Sequence, residues 1–147
     1  MSRTPNFDLP MLFAAQAQKE LTHNEALVVI DALLGGCIEG VASDPGTVDA
    51  EQGRAWVVGP SPSGIWADRE SHIAISTAGG WRFAPPLESM RIYDRADGGM
   101  RRFDGSEWLG AEAIADPAGG AVVDAEARTV LTALLAALRE FGLVAAT

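Results

Sequence analysis

The sequence contains few of the side chains that catalysis and metal binding usually require. Its 147 residues include 1 cysteine and 2 histidines. The single cysteine, Cys37, excludes an intrachain disulfide and a metal site built from several thiolates. His23 and His72 lack a nucleophile or ligand partner at a suitable spacing, beyond a glutamate two positions from each. We therefore expect no enzymatic activity, no cofactor and no bound metal.

Basic side chains are also scarce. The chain has 11 lysines and arginines against 20 acidic residues, which gives a net charge of -9. Such a chain repels nucleic acid phosphates and anionic lipid surfaces, so neither is an expected partner. The exception is the stretch from residue 69 to 102, where six arginines accompany four acidic residues, a local charge of +2.

Long hydrophobic runs are absent. No apolar run approaches the roughly 20 residues of a membrane span, and the amino terminus lacks the basic-then-apolar order of a signal peptide. We therefore expect synthesis in the cytoplasm and no membrane contact. The 16 glycines and 8 prolines predict many turns within a folded domain.

Residues 9 to 36 predict two helices in a hairpin. Alanine, glutamine, lysine and glutamate are frequent here, and all favour helix. Thr22 and Glu25 have the spacing of a capping box, which predicts that a second helix begins at this point. Gly35 and Gly36 predict the end of that helix.

From residue 54 to 109 the pattern changes to short apolar runs, and every gap between them contains glycine or proline. This pattern is typical of hairpins in an antiparallel sheet. We therefore predict an α+β fold with an N-terminal helical hairpin, one small antiparallel β-sheet and a C-terminal oligomerisation helix. The predicted strands are Trp56–Val58, Ile73–Ile75, Trp81–Phe83, Met90–Tyr93, Met100–Phe103 and Trp108–Leu109.

The predicted domain boundary lies after the last strand, where proline and two glycines follow one another closely in residues 116–120. We divide the chain into a helix-plus-sheet domain at 1–110, a linker at 111–123 and a C-terminal helix at 124–147. Asp124 is the predicted N-cap of this helix, and Gly142 is its predicted stop.

The C-terminal helix carries the sequence pattern of a self-associating helix. Its apolar residues alternate spacings of four and three, as in a coiled-coil seam. They are Ala127, Leu131, Leu134, Leu138 and Phe141. Val130 and Leu135 widen the apolar stripe beyond a two-stranded seam, so a trimer, a pentamer or docking onto the parent domain all fit the pattern.

Three tryptophans each follow a glycine turn, and they are candidates for ligand binding. Trp66, Trp81 and Trp108 could pack over the sheet ends, or they could form an aromatic platform for a sugar ring. Packing is the favoured interpretation. In the alternative, the tryptophans act with Arg82 and Arg101 from the positive middle stretch to bind an acidic cell-surface polysaccharide.

Several separated motifs follow one another through the first three quarters of the chain. They are Leu9–Lys19, Thr22–Leu27, Asp31–Leu33, Gly53–Gly59, Gly64–Ala67, Gly79–Phe83 and Asp104–Trp108. In this order, over about residues 4 to 109, they resemble an uncharacterised bacterial domain family, a domain of unknown function found in prophages and gene transfer agents. The stretch 84–96 departs from the pattern because it has fewer aromatics, which weakens the case for a shared sugar-binding surface.

The residues from Leu131 to Leu143 resemble the closing helix of phage fibre and spike proteins, which is commonly a trimerisation element. Together the two resemblances imply a structural component of a released phage-like particle, either a head-spike base or a tail-fibre attachment protein. The implied partners are other copies of the chain, capsid or tail proteins, and a fibre protein. The resemblance implies no catalytic residues.

Overall fold

The computed structural model describes residues 3–12, 19–120 and 124–145. Two α-helices and eight short β-strands make up its regular structure. The helices are α1 (Lys19–Gly35) and α2 (Ala125–Glu140). The strands are β1 (Cys37–Ile38), β2 (Val41–Ala42), β3 (Ala55–Val58), β4 (Ile73–Thr77), β5 (Gly80–Ala84), β6 (Arg91–Asp94), β7 (Gly99–Phe103) and β8 (Trp108–Leu109).

The strands form two sheets of four. Sheet A has the order β2-β3-β4-β5, and sheet B has the order β1-β6-β7-β8. Within each sheet the last three strands are joined as antiparallel hairpins. Glycines with positive φ serve the hairpin turns, among them Gly98 at +67° and Gly105 at +109°, a conformation that favours glycine.

The predicted fold class, α+β, is confirmed, but the prediction of one antiparallel sheet was wrong. Both sheets are mixed, because β1 pairs with β6 and β2 pairs with β3 in parallel. The two added strands have two residues each, too few to show the alternation that identifies a strand in a sequence. Since β1 and β2 are separated by only Glu39 and Gly40, this short stretch links the two sheets.

The N-terminal helical hairpin does not appear in the described residues. One helix, α1, runs without interruption through Thr22 and Glu25, so the predicted helix start at this capping box was wrong. Glu25 instead forms an ion pair with Arg82 of β5. Residues 9–12 are not helical, and the remainder of the predicted first helix, residues 13–18, lies outside the described residues.

The hydrophobic core lies on both sides of sheet A. Alternate residues of a strand point to opposite faces. Val57 and Ile75 therefore pack with Val28 of α1 and Ile92 of sheet B, while the other face contributes to a second cluster. That cluster contains Trp56, Val58, Trp66 and Ala74. Because both faces are covered, every residue of β3 and β4 is buried.

A buried carboxylate attaches the N-terminal segment to α1. Asp31 has no exposed surface, and it accepts hydrogen bonds from the Thr4 hydroxyl (2.6 Å) and from the Asn6 and Phe7 amides (2.8 Å each). Thr4 is itself buried. Asp31 therefore holds three residues that lie more than twenty positions away in the sequence.

Candidate oligomerisation surface

The helix α2 begins and ends at well-defined caps. The Asp124 side chain accepts a hydrogen bond from the Ala127 amide at 2.9 Å, which satisfies one of the free donors of the first turn. After the helix, Gly142 has φ of +66°, and the Leu143 amide donates to the Leu138 carbonyl at 2.9 Å. These contacts are those of a helix that stops at glycine.

One face of α2 is an exposed apolar stripe. No residue of the helix is buried. Leu131 is 49% exposed, Leu134 is 53% exposed and Phe141, just after the last helical residue, is 72% exposed. Ala127 is also exposed, whereas Leu138 is half-buried. Four of the five residues predicted to form the seam therefore lie on open surface in the single chain.

One flank of α2, next to the exposed stripe, is partly covered by the segment that precedes it. Arg128 donates to the Gly119 carbonyl at 2.7 Å, and Arg139 forms an ion pair with Asp116 at 2.9 Å. The residue nearer the start of the helix, Arg128, contacts the later residue of the segment, and Arg139 near its end contacts the earlier one. Residues 114–119 therefore run antiparallel to the helix. These contacts explain why Arg128, Leu135, Leu138 and Arg139 are only partly exposed.

The end of α2 is fixed to sheet B. The Met100 amide donates to the Gly142 carbonyl at 2.8 Å, and the Ala145 amide donates to the Glu112 carbonyl at 3.0 Å. A side chain at position 142 would begin 3.2 Å from the Gly99 Cα and 3.3 Å from the Tyr93 ring. Glycine therefore serves both the turn and this close contact.

The three predicted ligand-binding tryptophans occupy different environments. Trp66 has no exposed surface, and its ring contacts Trp81 edge-on at 4.9 Å between centroids. This places Trp66 in the core, away from any surface that a sugar could reach. Trp81 is half-buried and also contacts Trp56 edge-on at 5.6 Å.

Trp108 lies in the other sheet, so it does not join Trp66 and Trp81. Its ring packs against Phe103 at 5.4 Å, and its indole N–H donates to the Ser71 carbonyl at 2.8 Å. The ring is half-buried beside the core that contains α1. The structure thus separates three residues that share the same glycine-then-tryptophan motif.

The two predicted ligand-binding arginines are engaged by carboxylates. Arg82 of β5 contacts Glu25 of α1, with 2.5 Å between Nη2 and Oε1. Arg101 of β7 donates from Nε to Asp94 at 2.6 Å and also pairs with Asp97. Asp94 is buried, and Arg101 is only 17% exposed. Arg101 therefore balances a carboxylate that the fold removes from water.

The turn between β7 and β8 contains the most strongly shifted carboxyl among the described residues. Asp104 accepts hydrogen bonds from the Glu107 amide and from the amide and hydroxyl of Ser106. These bonds favour the ionised form and lower the pKa of Asp104 to about 2. One oxygen of the carboxylate, Oδ1, accepts all three hydrogen bonds and so stabilises the turn.

Residues 23–109 match the model of a family described as a protein of unknown function, DUF2793. The chain belongs to this family. The DUF2793 match contains both sheets and most of α1, whereas α2 lies outside it. No curated protein matches the chain.

Across residues 3–12, 19–120 and 124–145, no group of three potential metal ligands comes together. In the same part of the chain, neither helix has the length and hydropathy needed to cross a bilayer.

Proposed function

We propose that the chain is a structural component of a phage-like particle, specifically a gene transfer agent. In this proposal copies of the chain self-associate through α2 and connect a fibre to the particle, as a head-spike base or a tail-fibre attachment protein. Other partners are capsid or tail proteins and the fibre protein itself. The observation that supports this proposal most is the exposed apolar stripe of α2.

The side chains of the stripe gain little stabilisation from packing within the single chain, so we expect them to pack against a partner. Leu134 and Phe141 each leave more than half of their surface in water. Burying a leucine or phenylalanine side chain stabilises an assembly by about 1.5–3 kcal/mol. An isolated helix of 16 residues is marginal in water, so further packing would also stabilise the helix itself.

The arrangement of α2 suits a symmetric bundle. Residues 114–119 cover the flank that carries Arg128 and Arg139, and they leave Leu131, Leu134 and Phe141 exposed. Copies of α2 can therefore pack around a central axis while the DUF2793 domains remain outside. The stripe includes Val130, 67% exposed, which makes it wider than a dimer seam requires and favours a trimer or a pentamer.

Purified particles test the proposal that the chain belongs to a particle. We expect quantitative mass spectrometry of nuclease-resistant particles, purified from the organism that encodes the chain, to find it at a fixed copy number relative to the capsid protein. An abundant cytoplasmic protein is the control and should disappear as purification proceeds. Loss of this chain in parallel with that control would contradict the proposal.

Carbohydrate binding is the alternative function, and Trp81 is the residue that best fits it. Its ring is partly exposed on the edge strand β5, whereas Arg82 points to the other face of the sheet and pairs with Glu25 of α1. If this alternative holds, Trp81→Ala should abolish retention on an immobilised acidic polysaccharide and leave the oligomer mass unchanged. Equal retention of Trp81→Ala and the unmodified chain would exclude Trp81 as a sugar platform.

A further inference from the structure

Two arginines differ from the others in having no hydrogen-bonded or ion-paired partner, although Arg102 interacts electrostatically with Asp104. Most of the arginines form ion pairs, donate to a carbonyl oxygen or, for Arg69, lie 5.3 Å from the Phe83 ring. Arg91 and Arg102 make no hydrogen bond, ion pair or ring contact with any described residue. In a chain with 20 acidic residues, this lack of a partner is unexpected.

The two unpartnered arginines lie directly opposite each other in sheet B. The register pairs Arg91 of β6 with Arg102 of β7, and Arg102 in turn with Leu109 of β8. Side chains of directly paired residues share one face of a sheet, about 5 Å apart. Like charges in this position are destabilising, so the pair costs stability unless an anion lies between them.

A groove of about 700 Å³ contains both arginines. Its volume lies within the range of about 300–1,000 Å³ that is typical of ligand sites. The rest of its lining is largely apolar and includes Met100, Leu109 and Leu143. Leu109 and Leu143 are 40% and 54% exposed. The groove thus combines two arginines that form no ion pair with an apolar wall.

Two acidic residues near the groove offset part of its positive charge, but neither forms an ion pair with Arg91 or Arg102. Glu112 lines the groove and forms no ion pair with a described residue. Asp104 interacts electrostatically with Arg102, while its Oδ1 accepts hydrogen bonds from Ser106 and Glu107. Arg101 lines the groove as well, and its charge is already balanced by Asp94 and Asp97.

We infer that this groove binds an acidic, leucine-containing peptide segment of a partner protein. Carboxylates of the segment would lie between Arg91 and Arg102. There they would accept charge-assisted hydrogen bonds, which are stronger than hydrogen bonds between neutral groups. Its apolar side chains would contact Leu109 and Leu143. A peptide fits better than a sugar because the wall offers leucine and methionine, and not the flat aromatic rings on which sugars stack.

Fluorescence anisotropy with a synthetic probe tests this inference. The probe is a labelled peptide that alternates glutamate and leucine, titrated with the full chain at low ionic strength. We expect saturable binding that weakens as salt is added. The double variant Arg91→Gln/Arg102→Gln should bind about tenfold more weakly or worse, because two exposed ion pairs are lost.

Two controls match the probe and the charge change. In the first control, the unmodified chain is titrated against a peptide with glutamine in place of glutamate. Its affinity for this peptide should be no higher than the affinity of the double variant for the glutamate peptide. The variant Arg3→Gln/Arg95→Gln removes two exposed arginines outside the groove and should keep the original affinity within about twofold. The inference does not depend on self-association, so Leu134→Glu in α2 should also keep that affinity.

Three results would overturn the inference. The first is no saturable binding of the glutamate peptide. The second is equal weakening by the groove variant and by the control variant, which would show a nonspecific effect of charge. The third is binding of oligogalacturonate, but not of the peptide, in a manner that requires Arg91 and Arg102, because the groove would then recognise an acidic sugar.

Discussion

Replacement of Asp31 by alanine is expected to lower the free energy of unfolding by about 3–5 kcal/mol. The carboxylate accepts hydrogen bonds from Thr4, Asn6 and Phe7, and it has no contact with solvent. Its removal leaves a buried hydroxyl and two amides without their acceptor. Each buried donor without a partner costs about 1–3 kcal/mol.

Urea denaturation followed by tryptophan fluorescence measures this loss. The matched control is Glu70→Ala, since Glu70 is an exposed carboxylate whose side chain makes no hydrogen bond or ion pair with a described residue. The control should change stability by less than about 0.5 kcal/mol. A comparable, small effect of both variants would show that Asp31 does not hold the N-terminal segment.

The pH dependence of the same measurement gives an independent check. Burial raises the pKa of Asp31, but hydrogen bonds from Thr4, Asn6 and Phe7 outweigh burial, and the pKa lies below its ordinary value of 3.8. A carboxyl of this kind stabilises the fold above its unfolded pKa and loses that effect as the pH falls through its folded pKa. The advantage over Asp31→Asn should therefore be full at neutral pH and decrease as the pH falls below 3.8 and through the lower pKa of folded Asp31.

The second large effect is expected from Leu134→Glu, which should convert the oligomer to monomers of 15.4 kDa. In the proposed bundle Leu134 lies in the middle of the seam, where every subunit would bury a carboxylate. Burial of an unpaired polar group costs at least about 2 kcal/mol per site, and a charge costs more. In the monomer Leu134 is 53% exposed, and glutamate is as good a helix former as leucine, so α2 should remain folded.

The matched control for this variant is Leu87→Glu. Leu87 is 70% exposed and lies between β5 and β6, away from α2. The Leu87→Glu variant makes the same change in charge and also replaces an exposed leucine. It should leave the oligomer mass unaltered. Dissociation by both variants would point to charge repulsion in general, and retention of the oligomer by Leu134→Glu would place the interface elsewhere.

Strands were easier to predict than their arrangement. The run Trp56–Val58 lies within β3, and each of the other five predicted runs contains or overlaps a strand of the structure. The glycine turns between them carry a local signal that a sequence displays directly. The division into two sheets depends on the pairing of Cys37 with Tyr93 and of Val41 with Val57, and no local pattern encodes such distant pairs.

The capping box shows why a correct local rule can fail. Thr22, Asn24 and Glu25 have the composition of a helix start, yet the helix passes through them. Asn24 instead exchanges hydrogen bonds with the backbone of Leu12, and Glu25 binds Arg82. The contact with Arg82 uses the Glu25 carboxylate that would have completed the capping box.

Helical spacing in the sequence predicts which residues share a face of α2. The sequence does not predict which side chains are buried. The seam residues Leu131 and Leu134 lie on an open face, as four-and-three spacing suggests. Nothing in the sequence distinguishes Trp66 from Trp81, although one is in the core and the other is partly exposed. Likewise, Arg91 and Arg102 become notable only when the register places them together.

Light scattering on the unmodified chain, over a range of protein concentrations, tests self-association through α2 most directly. We predict one defined species whose mass is three or five times 15.4 kDa. A mass of 15.4 kDa at every concentration, with α2 still helical by circular dichroism, would contradict self-association through α2.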